Sequence, residues 1–161
     1  LIRTFAELRK RVPDMNLVLV GNRKGHHIDP SIEEALHVTG IAQQVFFPGY
    51  VDSQDLPGVL RLATLSVSPS LYEGFGIPLL EAMSQEVPVA ASDRAIFHEI
   101  AGESALYFDP QSIASCEEKL YTLCTDRDQR AKSVSLGKDQ VSLFSWEKSA
   151  TSLLAVYEAL G

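Results

Sequence analysis

Short apolar runs alternate with longer amphipathic stretches along most of this chain. Ile2, Phe5, Ala6 and Leu8 recur at helical spacing, which predicts a helix from Ile2 to Val12. Asn16-Leu17-Val18-Leu19-Val20-Gly21 lacks polar alternation and so reads as a fully buried strand. A helix is expected over Pro30 to Val38, with Ile32, Ala35 and Leu36 inward and Thr39 at its margin. Gln44-Val45-Phe46-Phe47 reads as a second strand, stopped by Pro48-Gly49. Asp52 or Ser53 is placed to cap a helix running to about Leu62. Thr64 to Ser68 is a third strand, followed by a loop from Ser68 to Gly76 and a helix to about Gln85. Pro88 to Ser92 is a fourth strand, and a short helix follows around Ile96 to Ile100. Ala105 to Phe108 is a fifth strand, ended by Asp109-Pro110. From Gln111 onward the pattern is helical, through Leu123, then Arg127 to Leu143, then Trp146 to Leu160.

Strands alternating with helices imply βαβ units. The fold class expected is α/β, a Rossmann-like parallel sheet with helices on both faces. Ligands in such sheets sit beyond the carboxyl ends of the strands, near the reversal of strand order. Gly21, the Pro48-to-Asp52 loop and the Ser68-to-Gly76 loop all follow strands, so the candidate site gathers on that edge.

The 161 residues fit one domain, 1–161, and 45% hydrophobic residues suffice for an ordinary core. A formal net charge of −7 argues against general nucleic-acid binding, which needs a basic face, but leaves room for a local basic pocket. Cys116 and Cys124 lie eight apart in an expected helix. That spacing puts them about 12 Å apart along the axis, too far for a disulfide. Free thiols point to a reducing compartment, and the expected location is cytoplasmic. No apolar run reaches membrane-spanning length, and no secretory signal is visible. The chain opens at Leu1 and Ile2, already inside an apolar-periodic segment, and so reads as one piece of a longer protein.

The chemistry concentrates in Glu73-Gly74-Phe75-Gly76-Ile77-Pro78-Leu79-Leu80-Glu81, where seven residues separate two carboxylates. Glu73 falls in a glycine-bracketed loop and Glu81 near a helix start. Unpaired backbone N–H groups and a partial positive charge at a helix start favour a phosphate. Carboxylates beside it can accept hydrogen bonds from sugar or ribose hydroxyls. Together these features suggest a nucleotide-sugar site. Simpler readings stand beside this one. Glu73 and Glu81 could be solvated, Gly21 could merely end a strand, and the Phe75 and Tyr50 side chains read first as packing. His26 and His27 lack partners at metal-ligand spacing. His98-Glu99 reads as a surface helix start rather than an acid–base pair, and Ser68 and Ser70 as loop hydrogen-bonders rather than nucleophiles. Lys132, Lys138 and Lys148 read as a solvated helical surface.

From Leu17 to Leu160 the sequence resembles the C-terminal domain of retaining glycosyltransferases of the GT-B fold, in particular glycosyltransferase family 4. Leu17 to Gly21 looks like that family's glycine-ended strand, and Val45-Phe46-Phe47-Pro48-Gly49-Tyr50-Val51 like its nucleotide-facing strand and loop. Ser68 to Met83 is similar to the family signature, and Phe144-Ser145-Trp146-Glu147 to the start of its closing helix. The resemblance implies that Glu73 contacts donor-sugar hydroxyls as the catalytic carboxylate and that Glu81 holds the ribose diol. It implies that Gly74, Phe75, Gly76 and Ile77 face the sugar and diphosphate, that Val51 beside Tyr50 meets the base, and that Gly21 lies against the ligand. Glycine at 74 and 76 would let backbone approach a ligand closely.

The parent protein would then be a hexosyltransferase, mannose being the weakly favoured hexose, acting in polysaccharide biosynthesis. Its donor would be a nucleotide-sugar substrate, with no metal and no cofactor. The family's basic pair, an arginine and then a lysine, would lie upstream of Leu1 in the loop after a first strand. That strand and the N-terminal acceptor domain are expected to be missing from this chain. Arg3, Arg9, Lys10 and Arg11 are on the following helix and do not replace the pair, whereas Arg23, Lys24 and Arg94 are the next cations to examine. The resemblance leaves room for peripheral membrane association of the parent. Gln85-Glu86 departs from the family's glycine at the end of the signature helix, so Glu86 must take a glycine-like conformation or the helix must end differently. Two other readings stay open: a binding domain without catalysis, and a nucleotide-sugar epimerase or hydrolase of similar fold.

Overall fold

The computed structural model describes residues 1–21 and 30–160, which leaves Arg23, Lys24, His26 and His27 outside the described residues. Helix α1 (Ile2–Arg11) leads to strand β1 (Leu17–Val20), α2 (Pro30–Thr39) to β2 (Val45–Gly49) and α3 (Leu56–Arg61) to β3 (Ser66–Ser68). Helix α4 (Ile77–Ser84) leads to β4 (Val89–Ser92), and α5 (Ala95–Ala101) to β5 (Ala105–Phe108). Helices α6 (Ile113–Thr125), α7 (Arg127–Val141) and α8 (Trp146–Leu160) follow. Ser112 and Asp126 start α6 and α7 by accepting bonds from the Ser115 and Gln129 amides, at 3.2 and 2.9 Å.

Every described ladder is parallel, as the βαβ pattern requires. The strands form two sheets: β1 pairs with β2, and β3-β4-β5 make a second sheet in that order. One apolar cluster runs beneath both, joining Leu17, Leu19, Val45, Phe47, Val67, Leu106 and Phe108 to Ile2, Phe5 and Leu8 of α1, Leu36 of α2 and Leu120 and Leu123 of α6. A second cluster covers the other face of the three-stranded sheet. There Val89, Ala91 and Ala105 share a core with Leu79, Ala82 and Met83 of α4 and Phe97 and Ala101 of α5. Alternate residues of β4 therefore serve opposite clusters, and the whole strand is buried.

The two-stranded sheet corrects the expectation for β1. Val18 and Val20 are 50% and 45% exposed, and Phe46, opposite Val18, is 52% exposed. An apolar run shows that both faces tolerate burial. No described helix arrives over this one, so among the described residues β1 is covered on one side only.

Two boundaries also move, each for a local reason, and the end of α4 holds where it was expected. Strand β2 continues through Pro48 to Gly49 because it pairs with β1 alone, and an edge strand can spare a proline's missing donor. Helix α3 begins at Leu56, not after Asp52. Pro57 then falls in the first turn, where its absent N–H costs nothing; a start at Ser53 would have placed it deeper. The Asp52 carbonyl instead closes a turn with the amides of Asp55 and Leu56, at 2.9 and 3.0 Å. Helix α4 ends with Glu86 in the left-handed region, φ 61°. The Val87 amide donates to Ala82 O (3.1 Å) and the Glu86 amide to Met83 O (3.0 Å), the paired bonds of a glycine-type helix stop. Val87 and Ala82 are both buried, so packing holds the turn that Glu86 must strain to make.

Cys116 and Cys124 are free thiols. Burial pushes the Cys116 pKa up to about 11. It raises Cys124 as well, with Arg130 opposing. Helix α8 has no buried residue and leaves Leu153, Leu154, Val156, Tyr157 and Leu160 more than half exposed.

Candidate functional site

Glu73 sits in the loop between β3 and α4, half-buried. Ser70 Oγ donates to Glu73 Oε1 at 2.8 Å, so Ser70 holds the carboxylate, in keeping with its reading as a loop hydrogen-bonder. The same loop is tied to the neighbouring strand end. Ser92 Oγ donates weakly to Ser68 O at 3.4 Å, and Arg94 Nε donates to Leu71 O at 3.2 Å. Further along, the Phe75 ring meets Phe144 edge-on, with centroids 6.0 Å apart and planes at 90°. The packing role read for the Phe75 side chain is therefore present, although the residue stays 44% exposed.

The two glycines of the loop have different reasons to be glycine. Gly76 has φ 97°, and a Cβ there would stand 3.0 and 3.1 Å from ring carbons of Phe97, which is 1% exposed. A Cβ at Gly74 would meet nothing within 4 Å. Gly76 is thus required by the protein's own packing, while Gly74 faces open space.

Gly76 precedes the first turn of α4, Pro78 lies inside that turn, and no side chain caps it. The unpaired N–H groups and the dipole of this helix start are available to an anion. Glu81 follows one turn later, half-buried, and no described side chain pairs with its carboxylate. Gly21 and Val51 lie elsewhere, just past the ends of β1 and β2. The Gly21 amide donates to Gly49 O at 2.9 Å, its φ is 141°, and no described atom lies within 4 Å of a Cβ built there. Tyr50 beside Val51 is 73% exposed. The expected site residues therefore form two groups. Glu73, Gly74, Phe75, Gly76, Ile77 and Glu81 follow β3 on one sheet, and Gly21 and Val51 end the strands of the other.

Three cations of α1, Arg3, Lys10 and Arg11, are engaged with acids, and Arg9 donates to Met15 O at 2.6 Å. Arg3 pairs with Glu34 at 3.1 Å, and Arg11 with Glu117 and Glu118 at 3.1 and 3.0 Å. Arg94 is the described cation that touches the loop. His98 does not pair with Glu99. Its Nε2 lies 2.7 Å from Asp93 Oδ1, and its ring stacks on Tyr107 at 3.7 Å. Tyr107 donates to Gly102 O at 2.6 Å, and burial, with Asp93 and Glu103 adding to it, pushes its pKa up to about 12. Sequence reasoning read Ser70 as a loop hydrogen-bonder without naming Glu73, three residues on, as its partner, and it missed the supporting contacts of Ser92 and Phe144, which no local spacing reveals.

A family model described as glycosyl transferases group 1 matches residues 1–140. The O-antigen chain mannosyltransferase B of Escherichia coli is 37% identical over 112 residues, covering 70% of this chain and 29% of the relative. The lipopolysaccharide core biosynthesis mannosyltransferase LpsB of Rhizobium meliloti is 29% identical over 155 residues, covering 92% of this chain and 44% of the relative. The chain thus spans less than half the length of these curated relatives. Among solved structures, the C-terminal domain of a group 1 glycosyl transferase, LpcC of Francisella tularensis, superposes with a TM-score of 0.75 at 28% identity, covering 88% of this chain and 75% of that one.

Proposed function

This chain belongs to the glycosyl transferases group 1 family, and on that footing we propose that it is the donor-binding domain of a retaining enzyme that transfers a hexose from a nucleotide sugar to an acceptor hydroxyl. Mannose is the favoured hexose because both curated relatives described above are mannosyltransferases by name. The observation that carries the reading is the pairing of two carboxylates around an uncapped helix start: Glu73, held by Ser70, and Glu81, one turn into α4.

In this reading Glu81 accepts hydrogen bonds from the ribose diol and Glu73 from the donor sugar. The diphosphate lies at the start of α4, near the backbone of Phe75, Gly76 and Ile77. Gly21 and Val51 meet the nucleoside from the other sheet. The transition state is oxocarbenium-like, with negative charge growing on the leaving diphosphate. Stabilising that charge is the main catalytic work. No nucleophile is assigned within this chain. The first strand, the basic pair and the acceptor domain come from the upstream part of the parent. Support for this comes from the sheets, since β1 and β3 border one core with no ladder between them. No helix among the described residues is long and apolar enough to cross a membrane, and the parent's proposed place of action is the cytoplasm.

The test is a calorimetric panel of UDP-, GDP- and ADP-sugars against the full-length parent, followed by product analysis with an acceptor. Binding of one donor and glycosylation of the acceptor are expected. Absence of any nucleotide-sugar binding overturns the reading. Binding without transfer replaces it with a binding-only domain.

A further inference from the structure

We propose that Arg94 is a positioning residue for Glu73, acting through the carbonyl of Leu71; this rests on the reading of the β3–α4 loop as the donor-sugar site. Strands β3 and β4 are parallel neighbours, with Ser68 opposite Ala91, so the segments leaving their carboxyl ends run side by side. Arg94 leaves β4 just before α5. Its Nε donates to Leu71 O at 3.2 Å and its Nη1 to Asp93 O at 3.2 Å. One planar guanidinium thereby bridges the start of α5 to the loop that carries Glu73. Two donors in a fixed plane define a direction as well as a distance, which a lysine ammonium does not.

The bridge has a rigid footing. Phe97, Ile100 and Ala101 of α5 are at most 1% exposed. The same helix also fixes the far end of the loop, because the Phe97 ring is what Gly76 packs against. Arg94 sets the near end at Leu71. Between these two points lies Glu73, and Ser70, which holds its carboxylate, adjoins Leu71. A shift of the Leu71 peptide therefore moves both ends of the Ser70–Glu73 pair. Glu81 sits on α4 beyond Gly76 and stays where it is. Arg94 thus governs the sugar carboxylate and leaves the ribose carboxylate alone.

The experiment uses the full-length parent and the variants Arg94→Ala and Arg94→Lys, with two readouts. The first is hydrogen–deuterium exchange without ligand. In Arg94→Ala the amides of residues 71–75 should exchange ~10-fold faster, the factor for one charge-assisted hydrogen bond, while those of β4 and the end of α4 are unchanged. The second is kinetic: kcat should fall ~10-fold while the dissociation constant for nucleoside diphosphate is unchanged, and Arg94→Lys should recover part of kcat. Unaltered exchange and unaltered kcat in Arg94→Ala overturn the proposal. Loss of nucleoside-diphosphate affinity in step with kcat also overturns it, in favour of direct contact with the ligand. A parent that turns over no nucleotide sugar would defeat the proposed function, and the exchange readout would still decide whether Arg94 positions the loop.

Discussion

Alanine at Gly76 should be among the most costly small substitutions in this chain. Two penalties add. A Cβ on a backbone at φ 97° costs roughly 1–2 kcal/mol. The same atom would stand 3.0 Å from Phe97 Cε1, and that ring is 1% exposed within the second core. Overpacking of this kind costs roughly 1–3 kcal/mol. The total is about 2–5 kcal/mol, and with a urea dependence of about 2 kcal/mol per molar it lowers the unfolding midpoint by about 1–2.5 M. Far-UV circular dichroism in urea measures it. Gly74→Ala is the control, since nothing lies within 4 Å of its Cβ and it carries no positive φ; its midpoint should move by less than about 0.5 kcal/mol equivalent. Adding Phe97→Leu to Gly76→Ala should recover about 1 kcal/mol of coupling. A Gly76→Ala midpoint indistinguishable from wild type, or one matched by Gly74→Ala, would refute the claim that packing rather than ligand approach keeps Gly76.

In the full-length parent, Glu81→Ala should weaken nucleoside diphosphate and nucleotide sugar alike by about 10–100-fold, the worth of a lost charged hydrogen bond. Glu73→Ala should leave nucleoside-diphosphate affinity intact and reduce turnover, and calorimetry beside initial rates separates the two. Glu86→Gly and Glu86→Ala both remove the 2.9 Å pair with Lys138, but only glycine relieves φ 61°; glycine should therefore be the more stable by about 1 kcal/mol in urea titration. Cys116 carries a native pKa raised to about 11 by burial, so its contribution to stability is complete below about pH 8.5, the unfolded value, and is lost as pH rises towards 11. Alkylation followed by mass spectrometry should find Cys116 protected at pH 8 and modified as pH approaches 11; modification at peptide-like rates at pH 8 would contradict this.

What could be read from the residues depended on whether the deciding interaction was local. Helix α8 runs from Trp146 to Leu160 as its periodicity predicts, and Ser112 and Asp126 announce the starts of α6 and α7 from within their own first turns. Reading Pro48 as a strand stop and Asp52 or Ser53 as a cap misplaced two boundaries, because a proline's effect depends on its position at a sheet edge, as for Pro48, or in a helix turn, as for Pro57. The exposed face of β1 was not legible at all, since an apolar strand does not say whether a helix will arrive to cover it. At the site, the carboxylate spacing and the glycines were visible as a motif. The residues that hold the motif were not. Arg94 reaches Leu71 across 23 residues, and Phe97 meets Gly76 over a similar interval. Only the parallel alignment of β3 and β4 brings those partners together, and no local spacing encodes it.

The bare line between β1 and β3 is also a mechanical seam. The two groups of expected site residues ride on different sheets, which among the described residues share an apolar core and no backbone ladder. Apolar packing is less directional than a ladder of backbone hydrogen bonds. The span from Gly21 and Val51 to Glu73 is then set by the core and not by a ladder. A strand laid into the seam would lace it on both sides and set the β1-to-β3 spacing at two ladder steps, about 9.6 Å. The gauge of the proposed donor site would then be fixed by backbone geometry instead of by the core.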